Sequence, residues 1–149
     1  MLTKKGKYGL KAMIHLARIE PGTVAMVADI AAKNNISKKF LDAILLDLRN
    51  AGFLKSKKGP GGGYSLARPA NDILIGSIIR VLDGPLAPIA CASRTAFQPC
   101  DDCPDLNGCG VRLIMADVRD AMAAILDHTT LASLVARNDG AGLAELALG

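Results

Sequence analysis

The sequence has no tryptophan, and its aromatic residues total 3%. A core built without them must be aliphatic, from Leu, Ile, Val, Ala and Met. That suits packed helices better than a β-sandwich. Histidine occurs twice, at His15 and His128. The first lies inside a helical pattern and the second at a helix C-terminus, so structural roles are expected for both. No Ser/His/Asp or Cys/His array and no Gly-rich catalytic loop is present, and nothing points to an enzyme or to a small-molecule substrate. No apolar run approaches the ~20 residues that cross a membrane, and no targeting segment is evident. The expectation is a cytoplasmic protein with no membrane partner. Lysine is missing beyond Lys58, and cysteine is missing outside one 19-residue window, Cys91 to Cys109.

The net charge of +4 is therefore segregated. Residues 1–70 hold thirteen Lys and Arg against four Asp and Glu, whereas residues 71–149 hold five against ten. A basic half of this kind points to an anionic partner.

In that half the apolar spacing predicts helices over 7–20, 26–35 and 36–52. Pro21-Gly22 ends the first, Asn34-Asn35 closes the second in a left-handed conformation, and Ser37 and Gly52 bound the third. Leu41, Ile44, Leu45 and Leu48 form its core face. The second and third helices with their tight turn read as a helix-turn-helix. An ordinary helical hairpin is the alternative, but Lys38 and Lys39 favour a DNA role. They sit in the first turn, where cations oppose the helix dipole unless an anion approaches. In such motifs that turn reaches base edges. Next, 54–57 and 64–66 read as two strands joined by Gly59-Pro60-Gly61-Gly62-Gly63. The hairpin carries Lys55, Lys57, Lys58 and Arg68, and after a helix-turn-helix it reads as a wing. A phosphate-binding loop is excluded, because a strand follows the glycines where that motif needs a helix.

In the acidic half, helices are expected over 71–84 and 110–128, with a short last helix capped by Thr129 or Thr130 and running through Val135. A loose tail follows. Val111, Ile114, Met115, Val118, Met122 and Ile125 recur at three and four residues, a stripe that fits either this chain's core or a partner helix.

The cysteines follow C-x8-C-x2-C-x5-C on a linker rich in Pro and Gly. Thiolates select soft partners, so an iron–sulfur cluster, zinc and a thiol–disulfide switch all remain open on spacing alone. Asp101, Asp102 and Asp105 read first as a solvated turn.

Residues 37–69, SKKFLDAILLDLRNAGFLKSKKGPGGGYSLARP, closely resemble the IscR-like family of winged-helix transcription regulators, whose members include NsrR, RirA and CymR. The opening KYGLKAMIHLA and the closing DHTTLASLV fit too, so the resemblance spans roughly residues 1–136. It implies a mainly α fold: a winged helix-turn-helix domain over 1–70, a linker helix, cysteine loop and long dimerisation helix over 71–136, and a tail over 137–149. It implies a homodimeric repressor on a pseudo-palindromic operator. Lys38, Lys39, Asp42 and Ala43 would face the major groove, and Lys57, Lys58, Gly59, Pro60, Gly61, Gly62 and Gly63 the minor groove and phosphates. Lys4, Lys5, Lys7 and Tyr8 would support the backbone contacts. The resemblance also shifts the cysteine reading to an iron–sulfur cluster, [2Fe–2S] or [4Fe–4S], on Cys91, Cys100, Cys103 and Cys109. Cluster-binding members usually space three cysteines more closely and recruit a histidine just after the last. Arg112 occupies that stretch here, which implies ligation by cysteine alone.

Overall fold

The computed structural model describes residues 2–140. Six helices and one hairpin follow in the order α1 (Lys4–Arg18), α2 (Val27–Asn34), α3 (Lys38–Asn50), β1 (Leu54–Lys57), β2 (Gly63–Leu66), α4 (Ile75–Asp83), α5 (Gly110–Leu126) and α6 (Leu131–Asp139). The mainly α architecture with a small antiparallel hairpin is as expected.

Local signals account for most boundaries. The Ser37 hydroxyl accepts from the Phe40 N–H at 3.2 Å and starts α3. Asn35 adopts φ 55° and closes α2, and Gly52, at φ 89°, follows the end of α3. The hairpin pairs Leu54 with Leu66 and Lys57 with Gly63. A third short piece joins it: Ala25 and Tyr64 exchange both backbone hydrogen bonds at 2.9 Å. The wing is thereby fastened to the chain just before α2. Gly63 permits this approach, since a Cβ there would stand 2.1 Å from the Ala25 carbonyl oxygen.

Three boundaries differ from expectation by three residues or more. α1 begins at Lys4 rather than 7, because Thr3 caps it by accepting from the Gly6 N–H. α4 begins at Ile75 rather than at an Asn or Asp cap near 71. Ala70–Asp72 form a 3-10 turn instead, and the Ile75 N–H bonds to the Thr129 carbonyl. A tertiary bridge between Leu74 and Thr130 does there what a capping side chain does elsewhere. α6 runs to Asp139, past the expected end at Val135 and into the expected tail. The rest of that tail, 141–149, lies outside the described residues.

One aliphatic core crosses residue 70. Met13, Leu16, Ile30, Leu41, Ile44, Leu45 and Leu48 from the first three helices pack with Ile73, Ile78 and Leu131 from the acidic half, all almost wholly buried. α1 crosses α4 at Gly9, where a Cβ would come within 2.0 Å of Leu82 Cδ1. α5 contributes no buried residue. Half of its apolar stripe lies open, with Val111 59%, Ile114 53% and Ile125 64% exposed, while Met115, Val118 and Met122 are half-buried.

Candidate nucleic-acid interface and cysteine site

α3 and the wing enclose a groove of about 400 Å³. Of the residues expected at a DNA interface, Lys38, Asp42, Lys57, Lys58, Gly59, Gly62 and Gly63 line it. Lys38 Nζ and Asp42 Oδ2 pair at 3.2 Å across one helical turn. This exposed pair holds both side chains on one face without adding much stability. Lys39, Ala43, Pro60 and Gly61 are exposed but lie outside the groove lining. Gly59 and Gly61 have φ of 93° and 73°, so the turn itself requires glycine there.

The support group is more dispersed. Lys4 is exposed at the start of α1. Lys5 pairs with Asp47 of α3 at 2.7 Å, and Tyr8 meets Phe40 edge-on with ring centroids 5.7 Å apart. Tyr8 thus braces the start of α3. Arg68 is drawn back, its guanidinium 4.8 Å above the Phe53 ring. Arg49 was missed by the sequence reading. It lines the same groove and reaches Ser56 Oγ of the wing at 3.5 Å. The spacing 38, 42, 49 places it on the Lys38–Asp42 face of α3, a signal that was available.

The second site lies between α4 and α5. Cys91, Cys100, Cys103 and Cys109 all line one cavity of about 460 Å³, together with Asp102, Asp105 and Arg112. All four are free thiols, and only Cys91 is buried. Cys100 Sγ lies 3.9 Å from Cys91 Sγ. Its hydrogen bond to Cys91, reinforced by charge there and at Asp102, raises the Cys100 thiol above its ordinary range. Cys103 Sγ points to the Asp105 carbonyl at 3.5 Å. Cys109 has a role the sequence did not signal: it is the N-cap of α5, its sulfur accepting from the Arg112 N–H at 3.5 Å. Arg112 is engaged elsewhere, with Nε donating to the Cys91 carbonyl at 2.8 Å.

The donor set suits a thiolate-held group. Two thiolates on one tetrahedral ion, with metal–sulfur bonds of about 2.3 Å, stand ~3.8 Å apart, close to the Cys91–Cys100 separation. Among the described residues no three His, Cys, Asp or Glu side chains converge on a single ion.

A family model for Rrf2, an iron-dependent transcriptional regulator, matches residues 2–137. The chain belongs to the Rrf2 family. It is 41% identical over 144 residues to an rrf2-like protein of Rhodobacter capsulatus, covering 95% of this chain and 96% of that one. It is 31% identical to the regulator IscR of Vibrio atlanticus, over 93% of this chain and 76% of the relative. Among solved structures it is similar to CymR, described as the global cysteine regulator of B. subtilis, with TM-score 0.76 and 35% identity over 93% of this chain and 98% of that one. Rrf2 members are regulators of transcription and not enzymes, so membership assigns DNA-binding regulation to this chain. Among the described residues no helix is long and apolar enough to cross a membrane.

Proposed function

We propose that this chain is a homodimeric repressor whose grip on operator DNA is set by an iron–sulfur cluster on its four cysteines. The observation that carries the reading is the single cavity lined by Cys91, Cys100, Cys103 and Cys109 beside the first turn of α5. A cluster held there would supply a centre sensitive to oxidants, nitric oxide and iron supply. The guanidinium of Arg112 donates to the Cys91 carbonyl and is no ligand, which supports an all-cysteine set. The groove between α3 and the wing suits a duplex. Lys38 and Asp42 would meet base edges, while Lys57, Lys58 and the wing glycines would follow the backbone, with Arg49 joining them. The open stripe of α5 suits the same helix of a second copy, which would set the spacing of the two reading helices.

A second reading, a thiol–disulfide switch, draws on the 3.9 Å between Cys91 and Cys100 sulfurs. Anaerobic purification separates the two. The cluster reading expects a brown protein with bound iron and sulfide, and visible absorption lost in Cys100→Ala. A colourless anaerobic protein holding zinc, or no metal, would count against it.

A further inference from the structure

α5 buries no residue, yet one of its charged side chains is nearly covered: Arg119 is only 14% exposed. Its guanidinium donates from Nη1 to the Ala92 carbonyl at 2.5 Å. Seven residues earlier, on the same face, Arg112 Nε donates to the Cys91 carbonyl at 2.8 Å. The two carbonyls are adjacent in the 3-10 turn Ala90–Ala92, whose Cys91 and Ala92 are almost wholly buried. Asp120 completes the arrangement. It accepts from Arg119 Nε at 2.9 Å and Nη2 at 2.8 Å, and from Arg94 of the loop at 3.0 Å. These cations hold the Asp120 carboxyl below its usual range, the Arg119 hydrogen bond first.

Both ends of the cysteine loop are thus fastened to one helix: Cys91 through the guanidinium pair, Cys109 by capping the first turn. The fastening is made of directional hydrogen bonds to specific carbonyl positions. Such bonds are lost over small displacements, whereas apolar contacts tolerate sliding. A loop held this way would come free of α5 once those few bonds are lost.

We infer that Arg119 is a positioning residue that couples the docking of the cysteine loop to α5, and with it the spacing of the reading helices to the state of the thiols. The inference rests on the proposed sensing role of the cysteines. Arg119 touches no thiol; it acts through the Ala92 carbonyl and Asp120.

Two measurements on the full chain test it. In the first, amide hydrogen exchange across 89–94 is compared in wild type, Arg119→Ala, Arg119→Lys and Asp120→Asn. Release of the turn raises exchange there by at least ~tenfold in Arg119→Ala, with α1 to α3 unchanged. Arg119→Lys restores part of the protection, and Asp120→Asn, which keeps the side-chain volume, gives an intermediate loss. Unchanged exchange at 89–94, or an equal rise throughout the chain, overturns the clamp.

In the second, operator affinity is measured on anaerobic and on peroxide-treated protein. A coupled sensor shows a wild-type ratio on the order of 5–150-fold between the two states. The ratio falls to about one in Arg119→Ala if that residue carries the coupling. A merely structural residue lowers both affinities together and leaves the ratio, an outcome that overturns the coupling role. A wild-type ratio of one overturns the sensing reading itself, while the exchange result still judges the clamp.

Discussion

His15 shows how one side chain can make stability depend on pH. It lies on α1 facing α2, with Nδ1 3.2 Å from Asn34 Nδ2. That amide nitrogen also donates to the Ile30 carbonyl at 2.8 Å, and Lys11 Nζ donates to the Asn34 backbone carbonyl at 3.0 Å. The Asn34 amide is a donor, so His15 Nδ1 accepts and the ring is neutral. Burial, then Lys33 and Arg18, hold its pKa below the ordinary 6.5, against a smaller opposing pull from Asp29. The unfolded chain therefore binds the proton more readily than the native one. This contribution to stability is full above the ordinary value and is lost as pH falls towards the depressed one. Urea unfolding at a series of pH values should show wild type losing stability below about pH 6.5. His15→Gln, which keeps an acceptor for Asn34, should lose less over the same interval. Equal losses in the two proteins would remove His15 from the account.

At the scale of elements, α5 is the one α-helix among the described residues that buries no side chain, with only Leu126 packed against the core. Its spacing is that of a buried helix, yet Val111, Leu113, Ile114 and Ile125 are each more than half exposed. An apolar face of that extent is costly in water and marks a surface meant for covering. Its N-terminal turn is tied down by Cys109, one face by Arg112 and Arg119 on the Cys91 turn, and its C-terminal end by Asp127. Asp127 forms a two-pronged ion pair with Arg80 of α4 at 2.6 and 2.8 Å, and the Arg80 hydrogen bond holds its carboxyl below the usual range. If a second copy covers the face, Ile114→Asp should give a monomer in sedimentation analysis. Operator affinity should then drop by about 10²–10⁴-fold, the avidity lost when two linked half-sites become one. A dimer of unchanged affinity would place the interface elsewhere.

For the molecule as a whole, charge segregation becomes an arrangement in space. The lysines all belong to the first 58 residues, and the fold gathers several around the α3–wing groove. The acidic half supplies α4 and α6 as a scaffold behind the same core. Lys38 and Lys39 together should account for up to two phosphate or base contacts. The double variant Lys38→Ala, Lys39→Ala should bind operator more weakly, with a log–log salt slope shallower by about 0.9 for each lost phosphate contact. Gel shifts between about 50 and 200 mM salt read this directly. An unchanged slope and affinity would exclude α3 as the reading helix.

The sequence alone determined the helices of the basic half, the hairpin, the core face of α3 and the clustering of the cysteines. These depend on periodicity, caps and turn residues, which act between near neighbours in the chain. Only the tertiary structure decided that Leu74 and Thr130 set the start of α4 without a capping side chain and that one core runs through residue 70. It also decided that Cys109 caps α5 and that Arg112 and Arg119 hold the Cys91 turn. Those facts depend on groups far apart in sequence meeting at hydrogen-bond distance. Local pattern carries no information about such meetings, because many three-dimensional arrangements satisfy the same run of helices and turns.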